Sequence, residues 1–550
     1  MPTPTPVTDR PPTSRWPVPT SRRGTFPAGP GRIAGVHPAI WVPALLVAAA
    51  MLLPAIYLLI ATLDLPPARI WAIATDPATI RLGGRTLLLG SSVTAASLAI
   101  GIPLAWLTVR SDLPARRFFA IATGLPLVIP TYVGAFALVS TFARGGLIEQ
   151  WFGIVPPSPY GFWGAFTALT LFSFPYVLIT VQSGLRGIDP SLEEASRLLG
   201  HGPVRTFLKV TLPQLRASAA AGGLLVMLYV FSDFGAVSIL RYSTFTRGLY
   251  LQYRSAFDRS PAALLGLLLV GMTVAVIVAE ARIARDRGGQ FGARGPTRPA
   301  QVVLLRAWRW PAVALCSTVV LLGLVMPVTV IVLWLLRGLQ AGEQVNVALG
   351  PAGRSILAAG LGALAAVAAA LPVGIWAARS SSRIARLVER ASFTGYALPG
   401  IVVALALVFI GIRLATPLYQ TLAMLVFAYV VLFLPQAVGA IRTSLLQVNP
   451  NVEAASRMLG SSRLATLGRV TLPLSRRGAI AGGALVFLTA LKELPATLLL
   501  APTGYDTLAT RVWSATEEAF YTRAAVPALT LIVIGSVPLA VAMIRERRER

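Results

Sequence analysis

Cysteine is almost absent: Cys316 stands alone in 550 residues. One thiol excludes an intrachain disulfide and any cysteine-based metal site. Inside an apolar run it reads as an inert buried group. Two histidines, His37 and His201, are too few for a histidine metal site. Charge is scarce as well, at 13% of residues, where a soluble protein carries roughly 25%. No phosphate-binding Gly-Lys-Ser/Thr loop occurs, which excludes ATP hydrolysis by this chain. No metal-ligand cluster or nucleophile–base pair argues for an enzyme, and nothing calls for a cofactor or a tightly bound metal.

Apolar residues fill the space that charge leaves. The chain is 55% hydrophobic, with a mean hydropathy of +0.71. Apolar runs of 18 residues or more recur, each long enough to cross a hydrocarbon core of ~30 Å. They are continuous rather than alternating, which excludes a transmembrane β-barrel. The expectation is an all-α polytopic protein embedded in membrane lipid. About twelve spans are expected, at roughly 39–63, 84–109, 118–142, 162–185, 219–240, 262–282, 309–336, 354–378, 391–412, 419–441, 478–500 and 526–544.

The net charge of +27 could point to nucleic acid, but the positions of the basic residues argue against it. With both termini inside, about 34 of the 48 Lys and Arg fall in the tail, the even-numbered loops and the C-terminal end. That is the positive-inside bias, and it predicts an N-in, C-in protein. Residues 1–38 are rich in Pro, Arg, Ser and Thr and read as a disordered cytoplasmic tail, not a secretory signal. Residues 39–282 and 309–544 form two six-span halves. A flexible cytoplasmic linker, 283–308, joins them, and 545–550 form a short tail.

The halves repeat. Asp189-Pro190-Ser191-Leu192-Glu193-Glu194-Ala195-Ser196-Arg197-Leu198-Leu199-Gly200 returns as Asn449-Pro450-Asn451-Val452-Glu453-Ala454-Ala455-Ser456-Arg457-Met458-Leu459-Gly460. The register holds through Thr211-Leu212-Pro213 and Thr471-Leu472-Pro473, and at Asp233 and Glu493. Upstream, Arg110-Ser111 matches Arg379-Ser380 and Pro130 matches Pro399. The halves face the same way, so the repeat is parallel about an axis along the membrane normal.

Each copied segment reads as a short helix. Asp189 and Asn449 are N-cap residues followed by Pro at the first helical position. Gly200 and Gly460 stand where a glycine stops the helix. The acids Glu193, Glu194 and Glu453 lie in the N-terminal half, where the dipole weakly favours them. Ala195, Leu198 and Leu199 share a face, as do Ala455, Met458 and Leu459. Pro213 and Pro473 are expected to break the chain before the next span. One copy could simply lie on the membrane surface. Two copies at identical spacing suit a symmetric dimeric partner, with exposed glutamates seating the helices in it.

Glu453-Ala454-Ala455…Gly460…Leu472-Pro473 resembles the signature of inner-membrane permeases of binding-protein-dependent ABC importers. Glu193-Glu194-Ala195…Gly200…Leu212-Pro213 departs from it only at Glu194. The resemblance implies two MetI-like halves, a separate ATPase dimer docked on the two helices, and an extracytoplasmic substrate-binding protein. It also implies residence in the cell inner membrane.

Asp233 and Glu493 are ionisable residues inside apolar spans, which face a cavity or a partner as a rule. Their carboxylates suit a hard cation on a substrate path. A structural reading stands beside this one: Lys492 neutralises Glu493, and Asp233 caps a helix break beside Gly235. The stretches Asp233-Phe234-Gly235-Ala236-Val237-Ser238 and Lys492-Glu493-Leu494-Pro495-Ala496-Thr497 resemble the two halves of ferric-iron permeases. Permeases for thiamine or phosphonate share the architecture. An ion-coupled secondary transporter is the reading from another class, but it does not predict twin cytoplasmic helices.

Overall fold

The computed structural model describes residues 37–255, 260–285, 302–342, 348–449 and 451–548. Nearly all of residues 1–38, Pro450 and most of the linker lie outside them. Among the described residues every regular element is a helix, apart from one isolated bridge between Ser111 and Val303. Nine helices among the described residues are long and apolar enough to span a membrane, or eleven if two bent pairs count as spans. Helix Tyr521–Arg548 occupies the place of the last expected span.

The bends mark where continuous apolar runs conceal a break. The expected span 391–412 is two helices, Arg383–Tyr396 and Gly400–Arg413, meeting at 103°. The expected span 118–142 divides likewise into Arg116–Ala122, a 3₁₀ turn at Leu125–Val128, and Thr131–Phe142. Pro399 and Pro130 stand at the two breaks, each N-terminal to the second helix. Proline lacks the amide donor and holds the preceding residue out of the helical region, so the run cannot continue.

Pro213 and Pro473 act differently in the two halves. Each lies just after a five-residue π turn, Phe207–Thr211 or Leu467–Thr471. The wider turn accommodates the missing proline donor. In the first half the chain then bends by 67° before Arg216–Ser232. In the second it runs on through Leu472–Leu491 without a stop, so Pro473 breaks nothing.

The halves are interlocked. Ile40, Ala44, Ala48 and Met51 of the first helix, Pro38–Leu63, are buried in a core built mainly from the second half. Cys316, Val319, Ile331 and Trp334, from the corresponding helices of the second half, are buried in the core of the first. The linker also ends in place rather than free. Val303 N–H donates to the Arg110 carbonyl (2.8 Å), and Leu305 N–H donates to Asp112 Oδ1 (2.8 Å).

Candidate functional site

Two constellations repeat across the halves: the copied helices, and the breaks that carry Asp233 and Glu493.

The copied helices are Pro190–Leu198 and Asn451–Met458. Asp189 accepts from the Ser191 amide and Asn449 from the Asn451 amide, both at 3.0 Å. Each helix closes in a Schellman turn. Gly200 N–H reaches the Arg197 carbonyl and His201 N–H that of Ser196; Gly460 and Ser461 repeat both bonds to Arg457 and Ser456. Gly200 has φ +79° and Gly460 φ +86°, a left-handed geometry that a side chain would strain.

The glutamates do not point outward. Glu193 is 6% exposed and accepts from Thr211 Oγ1 (2.9 Å). Arg110 Nη2 lies 3.9 Å from it while donating to the Leu185 carbonyl (2.9 Å). Glu453 Oε1 accepts from Arg379 Nε (3.1 Å) and Thr471 Oγ1 (3.2 Å), with Arg379 Nη2 at 3.1 Å. The expected exposure of these acids is therefore corrected. A carboxylate with an arginine and a threonine on its own domain lowers its charge cost by turning inward. It ties the helix to the span ends that Arg110 and Arg379 terminate.

What faces outward is apolar. Leu198 and Leu199 are 89% and 78% exposed, and Met458 and Leu459 are both 88% exposed. Ala195 and Ala455 are exposed on the same face, whereas Glu194 and Ala454 are both half-buried. Each helix thus presents an apolar end on a rigid, doubly capped base. Sequence reasoning matched Arg110 with Arg379 and Thr211 with Thr471 but gave them no task; their shared offsets were the available signal.

At the second constellation, Arg216–Ser232 ends at Asp233 and Leu472–Leu491 ends just before Glu493. Short helices follow, Gly235–Ile239 and Pro495–Leu500. Asp233 Oδ1 accepts from the amides of Ala236 (3.1 Å) and Val237 (3.3 Å). Glu493 Oε1 accepts from Ala496 N–H (3.2 Å). Both acids therefore cap a helix in mid-chain. Lys492 does not neutralise Glu493; its amine donates to the Leu127 carbonyl of the first half (3.1 Å). Ser232, its counterpart, accepts from Gly400 N–H of the second half (3.3 Å). The residue before each acid thus ties the halves together.

The two carboxylates meet different neighbours in the two halves. Thr131 donates its hydroxyl to Asp233 Oδ2. The position matching Thr131, one past Pro399, is Gly400. A methyl group there would stand 2.8 Å from Glu493 Oε1. The longer glutamate occupies the volume that threonine fills in the other half. Beside both breaks sits Tyr132, 3% exposed, whose hydroxyl has no hydrogen-bond partner. Among the described residues no group of three or more His, Cys, Asp or Glu could hold a metal ion.

A family model described as "Binding-protein-dependent transport system inner membrane component" matches residues 97–287 and 370–550. The chain is 33% identical over 509 residues to the Fe(3+)-transport system permease protein FbpB 2 of Haemophilus influenzae, covering 92% of this chain and 98% of that protein. It is 31% identical over 218 residues to the molybdenum transport system permease protein ModB of Escherichia coli, covering 37% of this chain and 94% of that one. To the sulfate transport system permease protein CysT of Synechococcus elongatus it is 29% identical over 198 residues, 34% of this chain and 69% of that one.

Proposed function

Since the chain belongs to the family of binding-protein-dependent transport system inner membrane components, we propose that it passes ferric iron across the cell membrane. The chain is a permease subunit of an ABC importer and not an enzyme. The family implies a separate ATPase and a substrate-binding protein as partners, and residence in the inner membrane.

The finer reading concerns how the parts work. A dimeric ATPase docks on Pro190–Leu198 and Asn451–Met458, one subunit per helix. The observation that carries this is the pair of apolar ends, Leu198–Leu199 and Met458–Leu459, exposed on helices that are otherwise fastened inward. Exposed leucine and methionine next to capped, immobile backbone make a rigid plug for an apolar cleft. Glu193 and Glu453 act behind that surface, holding the plug to the spans so that movement of the ATPase reaches the transport path. Orientation is N-in and C-in, supported by the placement of the basic residues. The halves divide at the linker, 39–282 and 309–544.

Iron is supported by the full-length likeness to a permease named for Fe(3+), whereas the molybdenum and sulfate relatives match about a third of the chain. Asp233 and Glu493 supply hard oxygen ligands at the central breaks. The test is uptake of radioactive ferric iron by cells carrying this chain with its ATPase and binding protein, against thiamine, phosphonate, sulfate and molybdate. Iron-selective, ATP-dependent uptake is expected. Accumulation of another solute without iron would reassign the cargo.

A further inference from the structure

At the end of the bundle away from the copied helices, the two halves meet through helices Phe245–Ser255 and Leu508–Glu517. Arg216–Ser232 alone carries the chain roughly 25 Å toward that end, at ~1.5 Å per residue. The two helices are counterparts: Phe245 N–H donates to Thr86 Oγ1 (3.0 Å), and Leu508 N–H donates to the matching Ser355 Oγ (2.8 Å). That shared contact sets the local register between the halves.

A cavity of about 200 Å³ opens beside this pair. Ser238, Arg241 and Arg247 line it from the first half, with Trp513, Glu517 and Tyr521 from the second. The repeat fails here. In the register of Phe245 with Leu508, the matching positions in the second half are Ala501, Gly504 and Thr510. Two cations and a hydroxyl were placed in one half only, on a scaffold otherwise shared, so they form a single site.

The charges in the cavity do not cancel. Among the described residues neither Arg241 nor Arg247 is ion-paired, and Glu517 faces Arg254 at 3.8 Å. Arg241 stacks over the Tyr160 ring at 4.7 Å, and Arg247 donates to Ser243 Oγ (3.1 Å). Guanidinium donors are left over on both. Ser238 Oγ is buried with no hydrogen-bond partner. Arg241 also sits at φ +55°, a left-handed conformation that strains a non-glycine residue. Strain of this kind gathers at binding sites.

We propose that this cavity binds a small oxyanion or carboxylate, held by Arg241 and Arg247 with Ser238 donating to one oxygen. Planar guanidinium forks match such anions in geometry as well as charge. The site deepens the transport reading and rests on it only in that this end receives the incoming cargo. Two unpaired arginines repel a bare trivalent cation and attract a ferric species clothed in anionic oxygen ligands.

The test is calorimetric titration of the full-length protein in lipid nanodiscs with inorganic phosphate, sulfate, citrate and ferric citrate at matched ionic strength. One saturable site per chain is expected. Arg241→Asn, which suits the left-handed backbone, and Arg247→Gln should each weaken it about tenfold. Saturation by phosphate or sulfate alone would make the occupant a free oxyanion; saturation only by ferric citrate would make it a metal chelate. No saturable binding of any probe, or equal binding by both variants, would overturn the site. Saturable anion binding by the chain, with no ferric iron uptake by cells that carry it with its ATPase and binding protein, would remove the iron reading and leave this one standing.

Discussion

The two halves use the same residue types for the same tasks and distribute burial differently. In the first, Glu193 and Arg110 are both nearly sealed, with side chains 8% and 2% exposed, and their ion pair is long at 3.9 Å. In the second, Glu453 and Arg379 are each 14% exposed and lie 3.1 Å apart. The deep pair is satisfied mainly by Thr211 and backbone carbonyls, the shallow pair by direct contact. At the central breaks the contrast is one of volume: Asp233 with Thr131, against Glu493 with Gly400. A repeat thus preserves which groups must meet while leaving each half to find its own packing.

Removing the deep arginine should have the largest effect on folding. Arg110→Leu leaves Glu193 buried beside Thr211 alone and should cost about 3–5 kcal/mol. Arg379→Leu exposes its acid to nearby water and should cost less, about 1.5–3 kcal/mol. Chemical unfolding of the two variants in mixed micelles checks the order. Equal losses would mean that burial does not separate the two anchors.

The central exchange should show a smaller effect and a clear sign of coupling. Gly400→Ala drives a methyl group against Glu493 and should destabilise by about 1–3 kcal/mol. Glu493→Asp shortens the acid and should recover much of that loss when combined with it. Gly400→Thr with Glu493→Asp should rebuild the first-half arrangement in the second. Additive losses in these double variants, measured by the same unfolding, would separate Gly400 from the acid.

Much of this architecture was legible from the sequence because helices in lipid must be long and apolar. The copied helices were legible from their caps, since Asp189, Asn449, Gly200 and Gly460 each answer a local backbone need. The direction of Glu193 was not. Its partners, Arg110 and Thr211, lie in other elements, Thr211 18 residues along the chain, and only tertiary packing brings them together. The broken spans at Pro130 and Pro399 were hidden by the same apolarity that made the spans visible. The exchange of first helices between halves leaves no trace in composition, because both cores are equally apolar. The pairing expected of Lys492 with Glu493 failed because neighbours in sequence at a helix end point apart: the lysine leaves for the other half.

The central claim is that the apolar helix ends, and not the glutamates, form the surface that holds the ATPase. It is tested most directly by the mass of the complex purified with its ATPase, for the native chain and for Leu198→Ser/Leu199→Ser combined with Met458→Ser/Leu459→Ser. These residues are exposed, so the permease itself should unfold within about 0.5 kcal/mol of the native protein. The native chain should carry two ATPase subunits, the fourfold variant none, and a variant altered in one half a reduced share. A fourfold variant that still carries both subunits would contradict the account.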